Sequence, residues 1–375
     1  MTEREARASA LAGILVSRRA ALALLGALTA CTAMPDRPPA DDDPRAALWP
    51  PPPDLPRFAF ETALRSPADI YVDTDAARAR RLMAGETLSA DSAFDKPNAV
   101  AARNGRIYVT DTVRRHVVAF DVPRRTVYAF GLRPPGTLVK PIALALDREQ
   151  RVYVADATLR KVIVYDGLGL HQRTIGGPDE LERPTGVAVS QDGERVYVID
   201  RASNDSDRHR VIAYDRAGRR VAEIGRRGRG EGEFNIPVQG AVGPDGTLYV
   251  LDAGNFRVQA FDRDGRFLRA FGSLGTGLGQ LARPRGLAVD DEGNAYVADA
   301  TFGNVQVFDP AGRLLITLGA LGKRDRPGRY GLPFGVAVDE TGRVYVVDQL
   351  FNKVEVLKRL TRAEGEGLQR DFALR

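Results

Sequence analysis

Residues 284–313 read PRGLAVDDEGNAYVADATFGNVQVFDPAGR. A proline opens the stretch and a small apolar run follows it. Asp290-Asp291-Glu292-Gly293 then interrupts with turn chemistry. A second apolar run, 295–299, ends in Asp299, and a third, 304–309, ends in Asp309. Short β-branched and aromatic runs separated by Asp- and Gly-containing turns read as antiparallel strands joined by tight hairpins. No helical periodicity runs through the stretch.

The same line occurs six times. The middle runs are RIYVTD (106–111), RVYVAD (151–156), RVYVID (195–200), TLYVLD (247–252), NAYVAD (294–299) and RVYVVD (343–348). Their proline heads, Pro97, Pro141, Pro184, Pro237, Pro284 and Pro333, are 44, 43, 53, 47 and 49 residues apart. Strand-sized runs in fours at this period describe the blades of a β-propeller. The middle runs are apolar at consecutive positions because a blade stacked between two neighbours buries both faces. The chain is therefore read as all-β, a six-bladed β-propeller of four-stranded blades over residues 57–375. Repeat 6 has no fourth run after Lys358, and RFAFETAL (57–64) belongs to no repeat. The N-terminal strand is expected to close the last blade, in preference to the charged tail at 367–374, and so to remove an exposed edge. Residues 75–83 read as a short helix capped by Asp75.

Pro-x-Gly-Val-Ala-Val-Asp, Gly-x-x-Tyr-Val-Ala-Asp and Asn-x-Arg-Val-Gln-x-Phe-Asp are the lines of the NHL repeat. Residues 284–313 closely resemble them, as does NFRVQAFDRDG at 255–265, while blades 1 and 2 are more degenerate. The resemblance covers residues 97–358 and implies the propeller architecture. It also brings enzymes into view. Six-bladed lactonases and amidating lyases hold a divalent metal on inward Glu, Asp, Asn or His, and streptogramin-type lyases use His.

The N-terminus reads as an address. Ser17-Arg18-Arg19 precedes the apolar run 20–30, too short to span a bilayer as a helix, and Cys31 follows at once. Leu28-Thr29-Ala30-Cys31 resembles the lipobox of bacterial lipoproteins, and Cys31 is the only cysteine of the chain. Residues 1–30 are thus expected to be a signal peptide, removed before Cys31 receives diacylglycerol and a palmitate-type acyl chain. Thr32 after the cysteine implies sorting to the outer membrane of a Gram-negative cell. Arg18-Arg19 is similar to a twin-arginine signal, with Ala21-Leu22 where Phe-Leu is usual, so Sec and Tat export both stay open. Residues 31–56, with nine prolines after the cysteine, are expected to be an extended linker without a ladder.

The 54 Lys+Arg against 49 Asp+Glu give +5 over 375 residues, which is not the balance of a dedicated nucleic-acid binder. Among the connections, those between blades and those joining each second and third strand share one face and include every long loop. This upper face is the expected binding surface. The residue after each proline, Asn98, Ile142, Thr185, Val238, Arg285 and Phe334, is expected to line the channel mouth. That ring offers no carboxylate and no histidine, so no metal site and no cofactor are assigned. His116, His171 and His209 read as surface histidines. The six strand-ending aspartates read as structural acceptors for loop amides. Asp200 with 204–207 offers clustered oxygens for Ca²⁺ but lacks a calcium loop's Gly and distal Glu. Two upper-face loops are basic, with Arg226, Arg227 and Arg229 in one and Lys323, Arg324, Arg326 and Arg329 in the other. With Arg285 they are expected to form an arc toward an acidic partner. Some NHL propellers bind RNA on such a face, but export and the lack of interleaved aromatics argue against it here.

These readings converge on a monomeric, lipid-anchored propeller that binds a protein partner in a cell-envelope complex, some such complexes lying near multihaem cytochromes. Two alternatives stand beside it, a metal-dependent lyase or lactonase and a binder of anionic glycan.

Overall fold

The computed structural model describes residues 47–70, 83, 92–203 and 206–373. The signal peptide, Cys31 and, apart from Met83, the helix expected at 75–83 lie outside these residues. The described chain forms six four-stranded antiparallel blades arranged as a β-propeller. The innermost strand of each blade contacts those of both neighbours, and the sixth returns to the first. Apolar side chains gather into six clusters, each between two adjacent blades. Val152, Val154 and Ile163 of blade 2 pack toward blade 1 with Tyr108 and Val117. Their alternates Tyr153, Ala155, Val162 and Val164 pack toward blade 3 with Val196 and Val198. Burial on both faces explains the unbroken apolar runs.

Blade 6 is completed from the N-terminal side. Its strands are Pro333–Val338, Val344–Asp348, Lys353–Arg359 and, as the fourth, Phe58–Leu64. Leu64 lies opposite Val354 and Phe58 opposite Arg359. The tail instead forms a helix, Arg362–Ala373. Thr361 and Glu364 cap it reciprocally, the Glu364 amide donating to the Thr361 hydroxyl and the Thr361 amide to the Glu364 carboxylate.

The linker reading fails at its C-terminal end. Leu48–Trp49 adds a fifth strand to blade 6, with Leu48 opposite Ala59 and Trp49 opposite Phe58. Both side chains are buried, and Trp49 joins Phe58, Tyr296, Leu318 and Tyr330 between blades 5 and 6. Proline is barred from a ladder's interior but tolerated along an edge strand, and Leu48 and Trp49 keep their own amides. The propeller therefore begins by residue 48, ahead of the expected boundary at 57.

The glutamine of the third strand in blades 4 and 5 has a visible task. In blades 4 and 5, Gln259 and Gln306 donate to the carbonyls of Glu233 and Gln280 in the preceding inter-blade loops, at 2.7 and 2.8 Å. Blade 6 places Glu355 there. It accepts from the Gly328 amide at 2.7 Å and the Tyr330 hydroxyl at 3.0 Å, and pairs with the fully buried Lys353 at 2.5 Å. Burial pushes the Glu355 carboxyl up, while Lys353 pulls it down.

Candidate functional site

Each innermost strand starts with a proline paired to the strand-ending aspartate, as in Pro184 opposite Asp200, Pro237 opposite Asp252 and Pro284 opposite Asp299. Pairing then slips. Gly186 lies opposite Ile199, Gln239 opposite Leu251 and Gly286 opposite Ala298, which leaves Thr185, Val238 and Arg285 outside the ladder. The same slip frees Ile142, Asn98 and Phe334 from pairing. A bulge of this kind re-aims a side chain. Here it turns all six post-proline residues into one cavity of about 190 Å³ at the upper end of the channel. Glycine lets the inner strands crowd together around it. A Cβ on Gly286 would meet the Phe334 carbonyl oxygen at 2.3 Å, and one on Gly335 the Asn98 oxygen at 2.7 Å.

The two polar members of the ring are engaged between blades. Asn98 donates to the Ile142 carbonyl and accepts from Gln349 Nε2 at 2.9 Å. The Thr185 hydroxyl lies 3.0 Å from the Pro237 carbonyl. Both act as clasps across blade boundaries.

The charged wall of the cavity is entirely cationic. Lys140, Arg183, Arg201 and Arg285 line it, and among the described residues no carboxylate does. Sequence reasoning found only Arg285. The other three stand beside the repeat's fixed points, Lys140 and Arg183 just before a proline and Arg201 just after Asp200. Those positions are held by the buried aspartates. Asp156 accepts from the amides of Val139 and Lys140 at 2.7 and 2.8 Å, and from Thr158 and Leu159 at 3.0 and 2.9 Å. Asp200 likewise accepts from the amides of Glu182 and Arg183. The structural reading of the aspartate series therefore stands, and it shows how the cations are rooted. Burial pushes the Asp200 carboxyl up against those amide contacts.

Arg285 is half-buried and lies over the Phe334 ring, 5.6 Å from its centroid. Its Nε is buried without a hydrogen-bond partner among the described residues. Burial, then Arg283 and Arg201, hold its guanidinium below the ordinary arginine range. Burial and then Arg183 do the same to Arg201. The fold thus gathers like charges at a partly desolvated mouth. Four cations repel a divalent metal, and the one amide of the ring is engaged, so the metal sites of lactonases and lyases do not fit these residues.

The lower end of the channel, about 150 Å³, is lined by Asp290, Asp291, Asp339 and Glu340 with Gln191 and Arg103. These acids are engaged within the protein. Asp339 accepts from the amides of Thr341 and Arg343 and from the Tyr345 hydroxyl, at 2.8, 3.0 and 2.7 Å. Asp290 accepts from Glu292, Asn294 and Tyr296 in the same way. Glu340 accepts the Asn104 amide of blade 1 at 2.8 Å, and Asp291 the Gln191 side chain of blade 3 at 3.3 Å.

None of Arg226, Arg227, Arg229, Lys323, Arg324, Arg326 and Arg329 lines the upper cavity. Arg226 pairs with Glu233 at 2.9 Å, and Asp325 is drawn to Arg65 and Lys353 at 2.7 and 2.9 Å. The post-proline bulge is what aims a side chain into the cavity. His209 is not a surface residue. It is paired with Arg201 at the end of a strand and is 1% exposed. Of the calcium reading, residues 204–205 lie outside the described set, and both Asp200 oxygens face loop amides. Among the described residues no cluster of three or more His, Cys, Asp or Glu could hold a metal, and no helix is long and apolar enough to cross a membrane.

The fold and the cavity define the class as a six-bladed β-propeller with a cationic upper mouth. No known family matches the chain, and no curated protein does. Solved structures do. A protein of unknown function from Bacteroides thetaiotaomicron is 18% identical over 73% of this chain and 71% of its own, with a TM-score of 0.57. A gluconolactonase from Xanthomonas campestris is 22% identical over 71% and 87%, at 0.54. A streptogramin B lyase is 12% identical over 71% and 94%, at 0.52. At these identities the likeness is one of fold.

Proposed function

We propose that this chain is an exported, lipid-anchored propeller of NHL type that acts as a binding module of the cell envelope and docks a protein partner on its upper face. The observation that carries the reading is the upper mouth, where the charged side chains among the described lining residues are all cations and where the Asn98 amide and the Thr185 hydroxyl are engaged between blades. Such a surface suits recognition of negative charge and offers neither a metal cradle nor a paired acid and base. Lipidation at Cys31 supplies the anchor, by its resemblance to a lipobox, and the outer membrane is the destination that resemblance implies. With the propeller beginning by residue 48, residues 32–47 reach no further than about 55 Å. The module would work close to the membrane surface.

The gluconolactonase and the lyase that share the fold supply the competing reading, a metal-dependent enzyme. Against it stands the donor set at the mouth. The test is isolation of the full chain in detergent from native membranes, beside Cys31→Ala and the double variant Arg183→Glu/Arg285→Glu. A stoichiometric partner present with the native chain and lost with the double variant is the expected result. A partner-free protein that turns over a lactone in the presence of Ca²⁺ would overturn the reading.

A further inference from the structure

We infer that the upper mouth is a site for a small carboxylate carried on an apolar body, an aromatic or branched-chain acid. The inference deepens the binding-module reading and rests on it for the choice of face. Three observations meet here. The first is charge. Lys140, Arg183 and Arg285 enter from blades 2, 3 and 5, and among the described residues no acid lines the cavity beside them. A fold that holds like charges together in a half-buried pocket gives up stability there, and an anion restores it. The second is an unmet donor. Arg285 Nε is buried without a hydrogen-bond partner among the described residues, while the guanidinium carbon lies over the Phe334 ring. A guanidinium fixed on an aromatic face keeps its fork in one orientation, and that fork matches a carboxylate. The third is the remaining wall. Ile142, Val238 and Phe334 are apolar and occupy alternate blades, 2, 4 and 6. They would face the ligand's body while the arginines face its head.

Asn98 and Thr185 take little part in recognition, since their polar atoms clasp neighbouring blades. The pocket is too small for a polymer chain to thread, so a glycan would enter only by a terminal acidic group. The carboxylate has two sources with the same chemistry, a free acid or the C-terminus of a docked protein.

The test is isothermal titration of the full chain in detergent with benzoate, and with its neutral isostere benzamide. N-acetylphenylalanine and N-acetylphenylalanine amide form a second pair that imitates the end of a polypeptide. Benzoate is expected to bind saturably and at least about tenfold more tightly than benzamide, the difference a charge-assisted contact makes. Raised salt should weaken it. Arg285→Met and Arg183→Gln should each lose about tenfold or more, Arg285→Lys less, and Lys323→Gln/Arg324→Gln nothing. Thermal melts of each variant establish that it is folded. Tighter binding of N-acetylphenylalanine than of benzoate assigns the site to a chain terminus, and the reverse to a free acid. Equal binding of benzoate and benzamide, or native-like binding by folded Arg285→Met, overturns the inference. A captured partner without benzoate binding sinks this inference and leaves the docking reading standing, and benzoate binding without a partner does the opposite.

Discussion

At the upper end of the channel, Lys140, Arg183, Arg201 and Arg285 face a cavity to whose wall the described residues bring no carboxylate. At the lower end, Asp290 and Asp339 accept turn amides and tyrosine hydroxyls, and Glu340 accepts an amide from the next blade. Both ends are made by the same six innermost strands. The difference comes from where each strand leaves its ladder. At the lower end the strand stays paired into a tight hairpin, and the hairpin's own amides satisfy Asp290 and Asp339. At the upper end the bulge after proline lifts a side chain out of the ladder, and what it meets is the cavity. Charge that closes turns serves stability, whereas like charge gathered at a cavity is available to a ligand.

Removing the aspartates should separate the two ends most sharply. Asp156→Ala leaves four loop amides without their buried acceptor and loosens the root of Lys140. A loss of about 3 kcal/mol or more in urea unfolding is expected, together with weakened carboxylate binding. Asp339→Ala should cost about 2 kcal/mol for the lost turn contacts and leave binding unchanged. Equal effects of both variants on binding would erase the distinction drawn between the ends.

Arg285→Met sharpens the comparison from the other side. Deleting a half-buried cation among like charges should leave the melting temperature at or above that of the native chain while binding is lost. A fall of several degrees would mean that Arg285 serves the fold. In the native chain, benzoate should raise the melting temperature, and benzamide should not.

The smallest effect concerns pH. His209 is held below its ordinary 6.5 by burial first, then by Arg227 and Arg201. The unfolded chain therefore takes up a proton at higher pH than the folded one does. Stability contributed by the neutral ring is present above 6.5 and falls as pH drops through the lowered value. His209→Gln should flatten that part of the stability curve in chemical unfolding at a series of pH values. An unchanged slope would remove His209 from the account.

The architecture was legible because the repeat is dense. Six copies of proline, turn and Tyr-Val-x-Asp fix blade number and phase, and the orphan run at 57–64 identified the closing strand. The bulge residues were also legible, since each follows a proline. Trp49 was not, because four prolines after it conceal an edge strand. The C-terminal helix was marked only by Thr361-Arg362-Ala363-Glu364, a capping box inside a charged tail. Lys140, Arg183 and Arg201 were missed for a different reason. Their positions are fixed by the proline and the aspartate of the repeat, but their convergence is a property of the ring. Blades adjacent in space present residues that lie dozens of positions apart in sequence.

The upper mouth is expected to attract anions, and the outer basic loops are not. Crystals of the chain soaked in bromide would test it most directly, by the anomalous signal of the halide. A strong peak within reach of Arg183 and Arg285, displaced when benzoate is added, is the result expected. Peaks confined to the loops of Arg226–Arg229 and Lys323–Arg329, with an empty mouth, would contradict it.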